Sequence, residues 1–336
     1  MKKKINYQGK IEKIYIAIFI IFLVNSLLFI CCSKPKVYQV GVLSGLNFVA
    51  EITDGFKARM TELGYIEGKN IIYDVHNTDF DMAVYDRILK KFVEDKVDLI
   101  FVYPTEATMQ AKAATEGTNI PVVFANAFTE DTGLVNSIKE PGGNITGVRW
   151  PGPEIIENSF NILKELVPHM KRMWVPFQRD YPIVKSQLEV LRKVALSANV
   201  TLIEVPASNP EELKDELQNQ KGPFDAAVIG MLAEPLAVTP EGFNTIAKFA
   251  AKHSIPIGGA AFFEGDYQSV FGIMPPPFDQ GSQAAYLADK ILKGIPAGNL
   301  PVVTADYLFI LNYKQAEKLK LNITESLLNQ ADQVIP

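Results

Sequence analysis

The sequence predicts an α/β protein made of two open, doubly wound lobes, and three observations carry that prediction. After residue 36, short β-branched runs alternate with amphipathic stretches along nearly the whole chain, the pattern of strand–helix units closing a mostly parallel sheet. Some of these runs, such as Val97-Asp98-Leu99-Ile100-Phe101-Val102, are almost continuously apolar, as strands covered on both faces by helices are. The alternation also stops at a Gly- and Pro-rich stretch over residues 133–153 and then restarts with a second set of similar length. One larger α/β domain is the competing architecture.

The elements follow in order. Residues 37–43 read as a strand and 48–63 as a helix, with Phe56, Met60 and Leu63 at helical spacing. A strand at 70–75, a helix at 81–94, a strand at 97–102, a helix at 105–115 and a strand at 121–125 complete the first set. The second set begins with a helix at 154–166 and a strand at 170–176, then a helix at 181–197 and a strand at 200–205. Ser208-Asn209-Pro210-Glu211-Glu212 reads as a helix start: a cap residue, proline in the first turn, acids at the positive end of the dipole. Strands at 225–229, 255–258 and 269–273 flank a helix at 240–253. Pro275-Pro276-Pro277 cannot lie inside a helix or a central strand and so marks a crossing or a bend. A helix at 278–292, an extended stretch at 301–311 and a helical tail close the chain.

The N-terminus carries a different signal. Lys2, Lys3, Lys4, Lys10 and Lys13, opposed only by Glu12, precede an uncharged apolar run from residue 14 to 30, which ends at Cys31 and Cys32. This is the layout of a secretory signal with a thiol at its end. The pattern resembles the bacterial lipobox, and Cys32 is the preferred lipid-bearing residue because Ser33-Lys34-Pro35 then forms a polar tether; Cys31 is the other candidate. An uncleaved helical anchor and ordinary cleavage are the alternatives. Either thiol reading leaves the body from residue 33 without cysteine, so its stability rests on its core and not on disulfides. Taking away the five lysines and one glutamate of residues 1–31 moves the formal net charge from −5 to −9. An acidic body of that kind argues against a nucleic-acid partner.

Several segments resemble one family as a set. They are Gly64-Tyr65-Ile66-Glu67-Gly68-Lys69-Asn70, Phe92-Val93-Glu94-Asp95-Lys96-Val97-Asp98-Leu99-Ile100, Ile120-Pro121-Val122-Val123-Phe124-Ala125 with Gly133-Leu134-Val135, and Pro141-Gly142-Gly143-Asn144-Ile145-Thr146-Gly147-Val148. Asp289-Lys290-Ile291-Leu292-Lys293-Gly294-Ile295-Pro296 and Leu321-Asn322-Ile323-Thr324-Glu325-Ser326-Leu327-Leu328 match the closing elements. The chain is similar to the ABC-transporter substrate-binding lipoproteins of the tryptophan/tyrosine type. That resemblance implies the type I periplasmic-binding-protein architecture: two Rossmann-like lobes joined by a three-segment hinge. It places lobe one at 37–146 plus 274–304 and lobe two at 147–273 plus 305–336, with Gly142-Gly143 permitting the hinge. It also implies a small-molecule ligand, membrane permease subunits with a separate ATPase as partners, a monomer, and an exported, lipid-anchored location.

Ligands of open α/β sheets sit beyond the carboxyl ends of the strands, so six loops should line the cleft. Lobe one offers Ser44, Asn47, Phe48, Tyr103, Thr105 and Asn126; lobe two offers Phe177, Arg179, Tyr181, Met231, Glu234, Phe262 and Glu264, and Trp150 is a further aromatic near the cleft. Thr105 is the leading contact, since a hydroxyl and N–H groups at a helix start can hold a carboxylate; its other role is to cap that helix. Arg179 could pair with a ligand carboxylate, and Glu234 or Glu264 with an amine. The aromatic residues suit a flat or amphipathic ligand. Gly230-Met231-Leu232-Ala233-Glu234-Pro235 and Gly259-Ala260-Ala261-Phe262-Phe263-Glu264 depart from the polar runs of the family, leaving open a ligand with a larger apolar part or without an amino group.

Catalysis finds little support. His76, His169 and His253 lack metal-ligand spacing, so no metal and no cofactor are expected, and no nucleophile elbow, phosphate loop or dinucleotide fingerprint occurs. Capture by hinge closure is the leading function; a lipoprotein sensor signalling through a membrane receptor, or an exported α/β enzyme, are the alternatives.

Overall fold

The computed structural model describes residues 36–78, 81–224 and 227–336, so the apolar run, Cys31 and Cys32 lie outside the described residues. Along the chain come β1 (Tyr38–Ser44), α1 (Glu51–Glu62), β2 (Ile71–Asn77), α2 (Met82–Glu94), β3 (Leu99–Tyr103), α3 (Thr105–Ala114), β4 (Val122–Ala127) and β5 (Ile145–Arg149). The second run holds α4 (Gly152–Leu166), β6 (Arg172–Gln178), α5 (Val184–Ser197), β7 (Thr201–Ala207), α6 (Pro210–Gln218) and β8 (Ala227–Gly230). It continues with α7 (Pro235–Val238), α8 (Pro240–His253), β9 (Ile257–Gly259) and β10 (Phe271–Met274). The chain then returns through α9 (Pro277–Leu292) and β11 (Val303–Thr304), and ends in β12 (Leu308–Asn312), α10 (Tyr313–Lys318), α11 (Glu325–Gln330) and β13 (Gln333–Ile335).

These strands form two sheets. The first has the order β11-β5-β4-β3-β1-β2 and is parallel throughout. The second has the order β13-β12-β10-β9-β8-β6-β7 and is parallel except where β12 runs against β10. Each sheet is covered on both faces, which explains the continuous apolar runs. In β3, Leu99, Phe101 and Tyr103 enter one core with Phe56 and Met60 of α1, while Ile100 and Val102 enter the other with Leu89 and Phe92 of α2. The second sheet repeats this, with Phe160, Leu163 and Leu188 on one face and Phe243, Ile246 and Leu213 on the other.

The chain passes between the sheets three times. Strand β5 pairs with β4 in the first sheet, so the first passage falls at Trp150–Pro151 and not at residues 146–147 as the sequence suggested. Gly142 and Gly143 accordingly lie ahead of β5, with Gly142 N–H donating to Gly298 O at 3.1 Å, and belong to a turn of the first lobe. The second passage is the proline triplet: β10 ends at Met274, and Pro277 opens α9, where a missing N–H costs nothing. The third runs from β11 in the first sheet to β12 in the second. After the second passage α9 lies directly against α1, so close that a Cβ on Gly281 would stand 1.9 Å from Ile52 O and one on Gly55 1.9 Å from Phe278 O.

Candidate functional site

The carboxyl ends of β1, β3 and β4 and those of β6, β8 and β9 form two rims, and a side-chain hydrogen bond joins them. Tyr181, after β6, donates its phenol O–H to the Glu106 carboxyl in the first turn of α3. Glu106 is only 5 % exposed. Burial pushes its pKa up, against the opposing effects of Tyr181 and of its own backbone N–H. Tyr181 is likewise held far above the usual phenol range, by burial first and then by Glu106, with Glu234 and Tyr85 adding to the effect. None of the groups that shift Glu106 or Glu234 is cationic.

On the first rim, Ser44 and Tyr103 are buried at adjacent strand ends, with the Tyr103 hydroxyl 2.8 Å from Thr53 Oγ1. Thr105 opens α3 without capping it, because Pro104 holds the cap position; its Oγ1 accepts from Phe128 N–H at 3.0 Å and so ties the β3 and β4 ends together. Asn126 sits at the register shift of β4 with φ 48°, a left-handed conformation that Asn tolerates well. Trp150 stacks on Phe128 at 6.4 Å, and its indole N–H is buried without an acceptor among the described residues. Asn47 is exposed, and Phe48 is 59 % exposed at the mouth.

On the second rim several expected contacts are committed elsewhere. Arg179 turns outward to Glu212 at 2.6 Å and Ser208 at 3.2 Å, so its charge serves the start of α6 and is not held toward a ligand carboxylate. Glu234 is an N-cap: its two oxygens accept from Leu236 N–H (2.9 Å) and Ala237 N–H (2.7 Å) of α7, which leaves it fixed rather than extended toward an amine. Gln187 holds the same loop by exchanging hydrogen bonds with Ala233 N–H and O. Met231 packs in the α8 core, Phe262 stacks on Phe243 at 4.1 Å and Phe177 joins the α4–α5 core. Glu264 is exposed on its loop. Glu106 and Tyr85 are the residues that sequence reasoning missed. An acid in a first helical turn reads by default as dipole compensation, and Tyr85 reads as the apolar face of α2; its O–H donates to Gly45 O at 3.1 Å.

Burial lifts the Glu234 carboxyl to about 7 despite its capping bonds. An acid whose pKa rises on folding keeps its proton better folded than unfolded. Its contribution is intact below the ordinary carboxylate range and is lost as pH rises through 7. The expected result is that Glu234→Gln removes on the order of 1–2 kcal/mol of stability loss between pH 5 and pH 8, read from paired denaturation curves; parallel pH profiles for the two proteins would contradict it.

Among the described residues no group of His, Cys, Asp and Glu is placed to hold a metal ion, and no helix is long and apolar enough to cross a membrane. The profile of the family described as ABC transporter substrate binding protein matches residues 41–335. The chain belongs to this family. This substrate-binding protein is 29% identical over 264 residues, 75% of its own length and 71% of the relative's, to the tyrosine-binding protein of Clostridioides difficile (strain R20291). Its fold is that of the Streptococcus pneumoniae ABC domain solved in complex with L-Trp (TM-score 0.75, 22% identity, 89% of this chain and 100% of that one). It is also that of the ligand-free, open structure of a Clostridium difficile substrate binding protein with adhesive properties (TM-score 0.70, 22% identity, 89% and 99%). The type I periplasmic-binding-protein architecture is thus shown.

Proposed function

We propose that the protein is the extracytoplasmic capture subunit of an ABC importer, closing its two lobes on a small, aromatic, amino-acid-like molecule. The observation that carries this reading is the Tyr181–Glu106 bond, which spans the two strand-end rims at the place where open α/β sheets take ligands. The chain crosses between the lobes three times, and a ligand contacting both lobes favours the closed arrangement by its differential affinity. Membership of the family supports permease subunits, driven by a separate ATPase, as partners. The tyrosine-binding relative supports an aromatic amino acid or a close analogue as ligand. A monomer suffices for this role, and a lipid on Cys32, or Cys31, would keep it beside the permease. The expected outcome of a metabolite thermal-shift screen with native mass spectrometry is one small molecule bound per chain. Small-angle scattering should show compaction on adding it. A screen with no binder, or binding without compaction, contradicts the proposal.

A further inference from the structure

Building on the capture reading above, we infer that Glu106 is the cleft's acceptor for a cationic nitrogen, so that the ligand class is amines presenting a protonated nitrogen to the start of α3. Three observations lead there. Glu106 stands where the rims meet, nine-tenths buried and touched from the opposite lobe by Tyr181. Any molecule bridging the lobes at this point meets its carboxyl.

The surroundings are acidic and phenolic, and among the described residues no cation acts on Glu106, Tyr181 or Glu234. Glu234 and Tyr85 lie close enough to act on Tyr181, and the nearby Arg179 is turned away to Glu212. Burying a carboxylate without a counter-charge is unfavourable, and a cationic guest supplies the missing charge. Of the two buried acids, Glu234 has both oxygens on the backbone of α7. Glu106 holds its Tyr181 bond on Oε1, so a guest reaching this point meets the carboxyl beside the Tyr181 hydroxyl or in its place.

The helix start no longer suits a carboxylate. A helix N-terminus favours anions, but here the acid is already part of the chain: Glu106 occupies the first turn, and Thr105 Oγ1 is engaged by Phe128 N–H. A ligand carboxylate placed there would face Glu106 at close range. The aromatic residues on both rims, Trp150 and Tyr181 among them, suit the face of a ring or the face of a cation.

The test titrates the purified protein by calorimetry with matched probes, tryptamine and tyramine against indole-3-propionate and 4-hydroxyphenylpropionate. The amines should bind at least tenfold more tightly than the acids. The near-isosteric Glu106→Gln should erase that preference while the affinity for neutral indole stays within twofold. The wild-type preference needs no variant and so stands even if Glu106→Gln folds poorly. Acids binding as well as amines, or a preference that survives Glu106→Gln, overturns the inference and leaves capture intact. So does a screen whose only ligand lacks an amine. A protein that binds neither the probes nor anything in the metabolite screen fails both readings.

Discussion

Gly281→Ala should destabilise the protein by about 3 kcal/mol or more, although alanine is the better helix former. In an exposed helix the same change is favourable by up to about 1 kcal/mol. The sign therefore reports packing directly. A Cβ at Gly281 would meet Ile52 O at 1.9 Å and Phe56 N at 2.8 Å, both backbone atoms of α1 that cannot rotate aside. Gly55 makes the reciprocal approach to Phe278 O, so the two helices touch backbone to backbone at two points one turn apart. Separating them to admit a methyl group loosens the contacts of Ala284 and Ala288 with the Phe56–Phe101 stack, and overpacking of this kind typically costs about 1–3 kcal/mol, more when backbone must move. The segment at stake is the one that returns from the second sheet and seats itself on the first. A calorimetric melt should show a Tm lower by roughly 6–12 °C. The neighbouring Ser282→Ala, which removes only the bond from Arg59 Nε at 3.0 Å, should cost about 1 kcal/mol. Equal melting temperatures for Gly281→Ala and the parent would refute the packing argument.

The elements that sequence alone delimits well are those with local punctuation. Helix α8 runs over residues 240–253 as expected because Thr239 caps its start, Pro240 opens it and Ser254 closes it in a left-handed conformation (φ 52°). Asn209 likewise accepts from Glu212 N–H at the start of α6, as the cap–proline–acid pattern indicated. Strand β5 escaped because its five residues lie between glycines and prolines, and only pairing with β4 and β11 identifies it as a strand. Strand β13 is three residues held by β12, a partner that no local signal names. The same limit applies to the cleft. Its position follows from the strand order, but its chemistry depends on contacts distant in sequence. Arg179 is drawn off by Glu212, 33 residues on, and Glu106 is matched to Tyr181, 75 residues on. Those pairings decide which loop charges are already engaged: Arg179 is held by Glu212, and Glu234 by the backbone of α7.

Arg149→Met should cost about 2–3 kcal/mol and loosen the relation between the lobes at the same time. The side chain, 8 % exposed at the end of β5, gathers three segments. Its Nε donates to Thr304 Oγ1 at 3.0 Å, its Nη1 to Glu130 Oε1 at 2.8 Å, and both terminal nitrogens reach the Glu154 carboxylate. Its backbone O accepts from Ala305 N–H at 3.1 Å. Glu130 follows β4, Glu154 lies in the first turn of α4 just past the first crossing, and Thr304 and Ala305 stand at the third. One guanidinium thus ties two of the three crossings together. Removing one partner of a buried ion pair costs about 3–5 kcal/mol, but Glu130 and Glu154 keep 27% and 45% of their side-chain surface and rehydrate in part, which lowers the expected figure. Lysine should recover little of it, because a single ammonium cannot serve a hydroxyl and two carboxylates in one plane. A double-mutant cycle of Arg149→Met with Glu154→Gln should give a coupling of about 1 kcal/mol or more. Scattering from Arg149→Met without ligand should show a wider spread of lobe arrangements than the parent. A lysine variant as stable as the parent, or a cycle with no coupling, would mean that the crossings are held by the backbone alone.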